Sequence, residues 1–118
     1  MAYQTKDVLD AMEADCGAHM TTLRADGGMV ANNFLMQFQA DILGASVERA
    51  QVGETTALGT ACLAGLAVGF WKDLEELRRN LKPGHRFVPL MAEDRRHRLY
   101  EGWTRAVKCV RSLGPLEG

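Results

Sequence analysis

The stretch Leu23-Arg24-Ala25-Asp26-Gly27-Gly28-Met29-Val30-Ala31-Asn32-Asn33-Phe34-Leu35-Met36 decides the fold of this chain. A short apolar-flanked segment runs into a glycine pair, then into a helix whose first turn carries asparagines. Two adjacent glycines put no Cβ in the way, so a flat or charged ligand can come close to the backbone. The helix that follows turns its free N–H groups and the positive end of its dipole toward the same spot. That is the geometry of a nucleotide site. A glycine pair is also ordinary loop punctuation, and on spacing alone the leading reading is a tight turn between strand and helix.

Working outward, residues 19–25 read as a short, polar strand with Leu23 inward and Arg24 outward, broken by Asp26-Gly27-Gly28. Residues 32–43 read as a helix with Phe34, Phe38 and Ile42 on one stripe and Leu35 beside it, stopped by Gly44. Residues 45–49 read as a second short strand. Strand, helix and strand within about 30 residues make a βαβ unit, so the two strands are expected to be parallel.

Residues 2–16 place Tyr3, Val8, Leu9 and Met12 at helical spacing and end at Gly17. The helix starts uncapped, as if its first turns lay upstream. Glu54-Thr55-Thr56 opens a further helix to about Phe70, with Thr55 or Thr56 as the cap and Glu54 beside the positive end. This apolar run is too short for a bilayer and reads as a buried helix. Ala57, Ala61 and Gly65 give it a smooth side, and Gly59, Gly65 and Gly69 each cost about 1 kcal/mol relative to Ala, which implies a packing role. Asp73 and Glu76 have capping-box spacing for a brief helix to about Asn80. Pro83-Gly84 makes a turn, and Arg86-Phe87-Val88-Pro89 is an extended piece confined to a sheet edge by its proline. The last helix, about 92–113, carries Leu99, Trp103, Ala106, Val107 and Val110 on one face and stops at Gly114-Pro115.

The 118 residues suit one small domain that would bury roughly two-thirds of its unfolded surface. With 47% hydrophobic and 25% charged residues, the composition is that of an ordinary soluble protein. A net charge of -1 argues against nucleic-acid binding, which calls for a basic surface. Cys16, Cys62 and Cys109 are odd in number and far apart, so no zinc site is expected and a reduced, cytoplasmic setting fits. The first residues lack the apolar core of a signal peptide. Helices dominate, and two or three short strands cannot make a self-sufficient sheet, so covering partners are expected.

Residues 23–43 resemble the C-terminal domain of glycerol kinases, in the FGGY family of carbohydrate kinases, almost without a break from Asp26 to Leu43. The resemblance extends through Ala2-Tyr3-Gln4-Thr5, Glu54 to Gly59, Ala64 to Trp71, Tyr100-Glu101-Gly102-Trp103 and Ala106-Val107-Lys108. Ala25, Ala50 and Thr60 depart from the family's usual Val, Pro and Ala. None of these departures removes a ligand-contacting side chain.

The resemblance implies an α/β fold: the C-terminal part of an actin-like, ribonuclease-H-like domain, mostly helical, with two or three short strands in an incomplete sheet. It implies a partial nucleotide-binding domain over residues 1–118, with the N-terminal domain absent. It also implies that Gly28 packs its backbone on ADP, that Asn32 hydrogen-bonds to the nucleotide, and that Gly27 clears the adenine side. An asparagine early in a helix offers both a donor and an acceptor, and it can cap the helix at the same time. By resemblance the cofactors are ATP or ADP with Mg²⁺, whose ligands are not in this chain. Glycerol would be met only through the upstream part, which also holds the catalytic base and the phosphate loop. Met1 aligns inside a family helix, so a truncated reading frame or shortened piece is expected, inactive alone and prone to self-association or pairing with another chain. No membrane or nucleic-acid partner is expected.

The resemblance makes nucleotide binding the better reading of Gly27-Gly28. Asp26 is read as orienting the loop rather than as a catalytic base. Asp7, Asp10, Glu13 and Asp15 are read as a solvated face, and His19, His85 and His97 as isolated. Arg95-Arg96-His97-Arg98 is read as an exposed helix surface, and the Leu99-Trp103-Val107-Val110 stripe as core or as a face left open.

Overall fold

In the computed structural model, residues 1–51 and 55–114 are described. The first helix, α1, spans Ala2–Cys16 and closes on Gly17, whose left-handed conformation (φ 66°) lets its N–H reach the Glu13 carbonyl. Strand β1 (Thr22–Ala25), a 3-10 turn (Gly28–Ala31), helix α2 (Asn33–Leu43) and strand β2 (Ser46–Arg49) follow. β1 and β2 are parallel, with Leu23 opposite Val47 and Ala25 opposite Arg49, so the βαβ expectation holds. Helix α3 (Thr55–Ala67), helix α4 (Leu74–Asn80), strand β3 (Arg86–Phe87) and helix α5 (Glu93–Ser112) complete the order. The sheet order is β1-β2-β3, and β3 lies antiparallel on the outer edge of β2.

The core forms where α2 lies on the sheet. Val30, Met36, Ala40, Val47 and Phe87 are buried together, with Leu23, Ala25, Leu35 and Leu43 packed around them. The stripe Phe34, Phe38 and Ile42 of α2 is buried unevenly. Ile42 is fully buried, but Phe34 is 78% exposed, because the sheet lies under Met36 and Ala40. Phe34 instead stacks on Phe38, which meets Tyr3 of α1 edge-on at 5.8 Å. Gly44 ends α2 as expected, its N–H donating to the Ala40 carbonyl at 2.9 Å.

The third helix departs most from expectation. No residue of α3 is buried, and it ends at Ala67 rather than Phe70. Gly69 turns left-handed (φ 80°), and the N–H groups of Phe70 and Trp71 both fold back to the Gly65 carbonyl. Trp71 thus lies over Gly65, where a Cβ would sit 2.7 Å from its ring, while Gly59 faces open space. Gly65 has the expected packing role, though toward a side chain. Thr55 and Thr56 lie inside the helix. Glu54 as a charge at its start, and Pro115 as part of the final stop, lie outside the described residues.

α5 also has no fully buried residue: Leu99, Trp103 and Val107 of its apolar stripe are half-buried, with Trp103 stacked on Tyr3, and Val110 is left exposed. Arg96 breaks from the exposed basic run: its guanidinium lies against Gly44, where an added Cβ would meet Nη1 at 2.2 Å. The radius of gyration, 18.7 Å, exceeds the roughly 13 Å of a compact domain of this length.

Candidate nucleotide site

In sheets with parallel strands, ligands settle outside the carboxyl ends of the strands. Here β1 ends at Ala25 and β2 at Arg49, and a cleft of about 250 Å³ lies against those ends, lined by Arg24, Ala25, Asp26, Glu48, Ala50 and Thr55. Arg24 pairs with Glu48 at 3.6 Å along its wall. Past Arg24 the surface continues to Arg78 and Lys82, so an anionic ligand would meet cations there.

The glycine turn follows Asp26 of this cleft directly in the chain, although Gly27, Gly28 and Asn32 are not among the residues that line it. Gly27 has φ 96°, a conformation that excludes a side chain at low cost, whereas Gly28 is free of that constraint. An added Cβ at either glycine would meet nothing within 4 Å. The space above both is therefore open to a ligand. Asp26 accepts a hydrogen bond from the Thr55 hydroxyl, which ties the turn to the first turn of α3 and orients the loop.

Asn32 is the N-cap of α2. Its Oδ1 accepts from the Leu35 N–H at 3.1 Å, which leaves its exposed amide N–H groups to donate to a ligand. Gly27, Gly28 and Asn32 therefore fall on one continuous turn, as the sequence placed them. Sequence reasoning missed Arg49, whose Nη1 donates to Asn33 Oδ1 at 2.7 Å and to the Val30 carbonyl at 3.2 Å. No local pattern marks that pairing, since it joins the end of a strand to the start of a helix.

A second cavity, of about 570 Å³, lies between α2 and the start of α5 and shares no lining residue with the cleft. Phe34, Phe38, Leu90, Met91 and Leu99 make its walls apolar. Asp41 is buried beside it, with Oδ1 accepting from the Leu90 N–H (2.7 Å), the Met91 N–H (3.1 Å) and Gln37 Nε2 (3.1 Å). The lone acidic residue in the apolar part of α2 was the available signal for it.

The acidic face of α1 is only partly a solvated one. Asp10 pairs with Lys6 at 2.9 Å, but Asp7 accepts hydrogen bonds from Tyr100 and Trp103 of α5. The Met20 N–H at 2.5 Å, and then His19, hold the Glu13 carboxyl below its usual range. Among the described residues no three His, Cys, Asp or Glu side chains gather to hold a metal ion.

A family model described as FGGY family of carbohydrate kinases, C-terminal domain, matches residues 1–68. The chain belongs to that family. Among curated relatives it is similar to the glycerol kinases of Petrotoga mobilis, 63% identical over 112 residues, and Bacillus subtilis, 59% identical over 110 residues. These alignments cover 95% and 93% of this chain but 22% of each relative. The chain thus spans about a fifth of the length of those relatives. Among solved structures, Plasmodium falciparum glycerol kinase with ADP superposes with a TM-score of 0.83 at 35% identity, over 98% of this chain and 23% of that one. A xylulose kinase from Lactobacillus acidophilus (TM-score 0.60, 19% identity, 79% of this chain and 18% of that one) shares the fold. The fold is the C-terminal part of an actin-like, ribonuclease-H-like domain, mostly helical with a three-stranded open sheet.

Proposed function

We propose that this chain is the nucleotide-holding C-terminal portion of a glycerol kinase. The observation that carries the reading is the open Gly27-Gly28 turn at the carboxyl ends of the parallel strands, with the Asn32 amide beside it. The Gly28 backbone packs on ADP, Gly27 clears the adenine side, and the Asn32 amide donates to the nucleotide. In the parent reaction a glycerol hydroxyl oxygen attacks the γ-phosphorus of ATP and the bond to the β–γ bridging oxygen breaks. The hydroxyl proton leaves to a base, and glycerol 3-phosphate and ADP result. This chain contributes positioning of the nucleotide, and phosphoryl transfer needs a second surface that closes on it. Glycerol, Mg²⁺ and the base belong to the remainder of a kinase-length polypeptide, and three free cysteines suit a cytoplasmic setting.

Calorimetric titration of the 118-residue chain with ADP tests the reading. Binding that Gly28→Val abolishes is expected, because a branched side chain would fill the open space over the turn. No binding at millimolar ADP would overturn it. The chain alone is expected to give no glycerol-dependent ADP release.

A second reading, a non-catalytic nucleotide-binding or structural remnant that associates with itself or another chain, draws on the exposed apolar residues of and just beyond α3. Leu63 is 70% exposed, Val68 81% and Phe70 74%. With the open edge of β1, they offer surface that an isolated domain rarely leaves bare.

A further inference from the structure

We propose that Arg49 is a positioning residue that fixes the glycine turn in its ligand-receiving shape. The inference rests on the nucleotide reading above and adds how the site is held. The turn is already anchored by Val30, buried in the core, and by the Asp26–Thr55 hydrogen bond before it. It begins with two glycines, and the bonds that flank its 3-10 segment, Val30 N–H to the Gly27 carbonyl and Asn32 N–H to the Met29 carbonyl, are both 3.2 Å long. Short 3-10 segments have poor hydrogen-bond geometry, and glycines lose the most freedom on ordering.

Arg49 adds a restraint on the far side of the turn, from a fixed base. Its backbone N–H donates to the His85 carbonyl at 2.8 Å, and Gly84 passes so close that an added Cβ would sit 1.5 Å from the Arg49 carbonyl oxygen. Its guanidinium lies 5.6 Å from the ring centre of buried Phe87. From there Nη1 reaches the Val30 carbonyl and Asn33 Oδ1. These two acceptors bracket Asn32, so holding both sets where the Asn32 amide stands. Charge-assisted hydrogen bonds of this kind are the stronger class. The guanidinium is turned toward the turn and α2, which makes it an orienting group rather than a phosphate ligand.

Amide hydrogen exchange on the 118-residue chain and its Arg49→Met, Arg49→Lys and Asn33→Ala variants tests this. In Arg49→Met the Val30 and Asn32 amides are expected to exchange about tenfold faster or more, while the Ala50 amide, bonded to the Ala25 carbonyl just beyond the end of β2, keeps its rate. Arg49→Lys, with one compact donor in place of the fork, and Asn33→Ala, with one acceptor gone, should fall between. Unchanged turn amides, or acceleration shared equally by Ala50, would overturn the proposal. ADP titration of the same set separates the two claims. If the parent chain binds ADP, Arg49→Met should weaken it about tenfold with Arg49→Lys intermediate. Arg49→Lys equal to the parent would make Arg49 a charge contact and refute positioning. If the parent chain does not bind ADP, the nucleotide reading fails and the exchange data alone decide whether Arg49 holds the turn.

Discussion

Trp103 donates its indole Nε1–H to Asp7 Oδ2 at 2.7 Å, joining the last helix of the chain to the first. The Tyr100 hydroxyl donates to the other oxygen of the same carboxylate, and Tyr3 stacks on Trp103 with ring centres 5.6 Å apart. Asp7→Ala removes the shared acceptor and leaves two donors to water. A loss of about 1 kcal/mol is expected at this exposed tether, read as a lower midpoint in urea unfolding.

The same contact makes stability depend on alkaline pH. Burial, and then the hydrogen bond and charge of Asp7, push the Tyr100 phenol above its ordinary value. The folded state therefore favours the neutral phenol. This contribution is complete below about pH 10 and is lost as pH rises above it. Tyr100→Phe is expected to flatten the fall in melting temperature between neutral and alkaline pH.

Asn32 has two separable jobs. Asn32→Ala should lower stability by about 1 kcal/mol through loss of the cap and weaken ADP binding as well. Asn32→Asp keeps the capping oxygen but has no amide donor, so it should bind ADP less tightly without that loss in melting temperature. Equal ADP affinity for Asn32→Asp and the parent would remove the amide from the site.

Two glycines should behave in opposite ways. Gly84→Ala drives a Cβ into the Arg49 carbonyl, and a cost of about 3 kcal/mol or more is expected because backbone cannot give way as a side chain does. Gly28→Ala meets nothing and should leave thermal unfolding nearly unchanged. A melting curve for each variant checks both.

If the exposed apolar residues serve association, Leu63→Glu with Val68→Glu should shift the chain toward monomer in light scattering. A parent chain already monomeric at high concentration would count against the second reading of function.

Much of this architecture was legible locally. Helical spacing and a glycine stop set α1 and α2, the interval between apolar runs set the parallel pair β1 and β2, and Asp73 caps α4 by accepting from the Glu76 N–H at 2.8 Å. These features depend on residues within a turn or two of each other, so composition and spacing are enough to read them. Gly27, Gly28 and Asn32 share a turn for the same reason, and the family likeness rests on that run of residues.

Burial was not legible in this way. Phe34 and Met36 are both apolar on one helix, yet Met36 is 4% exposed and Phe34 78%, because only one side of α2 meets the sheet. The apolar sequence of α3 implied a buried helix, but none of its residues is buried. The pairs that hold the site and the ends of the chain, Arg49 with Asn33, Asp26 with Thr55 and Asp7 with Trp103, span 16, 29 and 96 positions. No periodicity links residues so far apart. Their meeting is decided by where β2, α3 and α5 are set down, which is a property of the packed chain and not of any window along it.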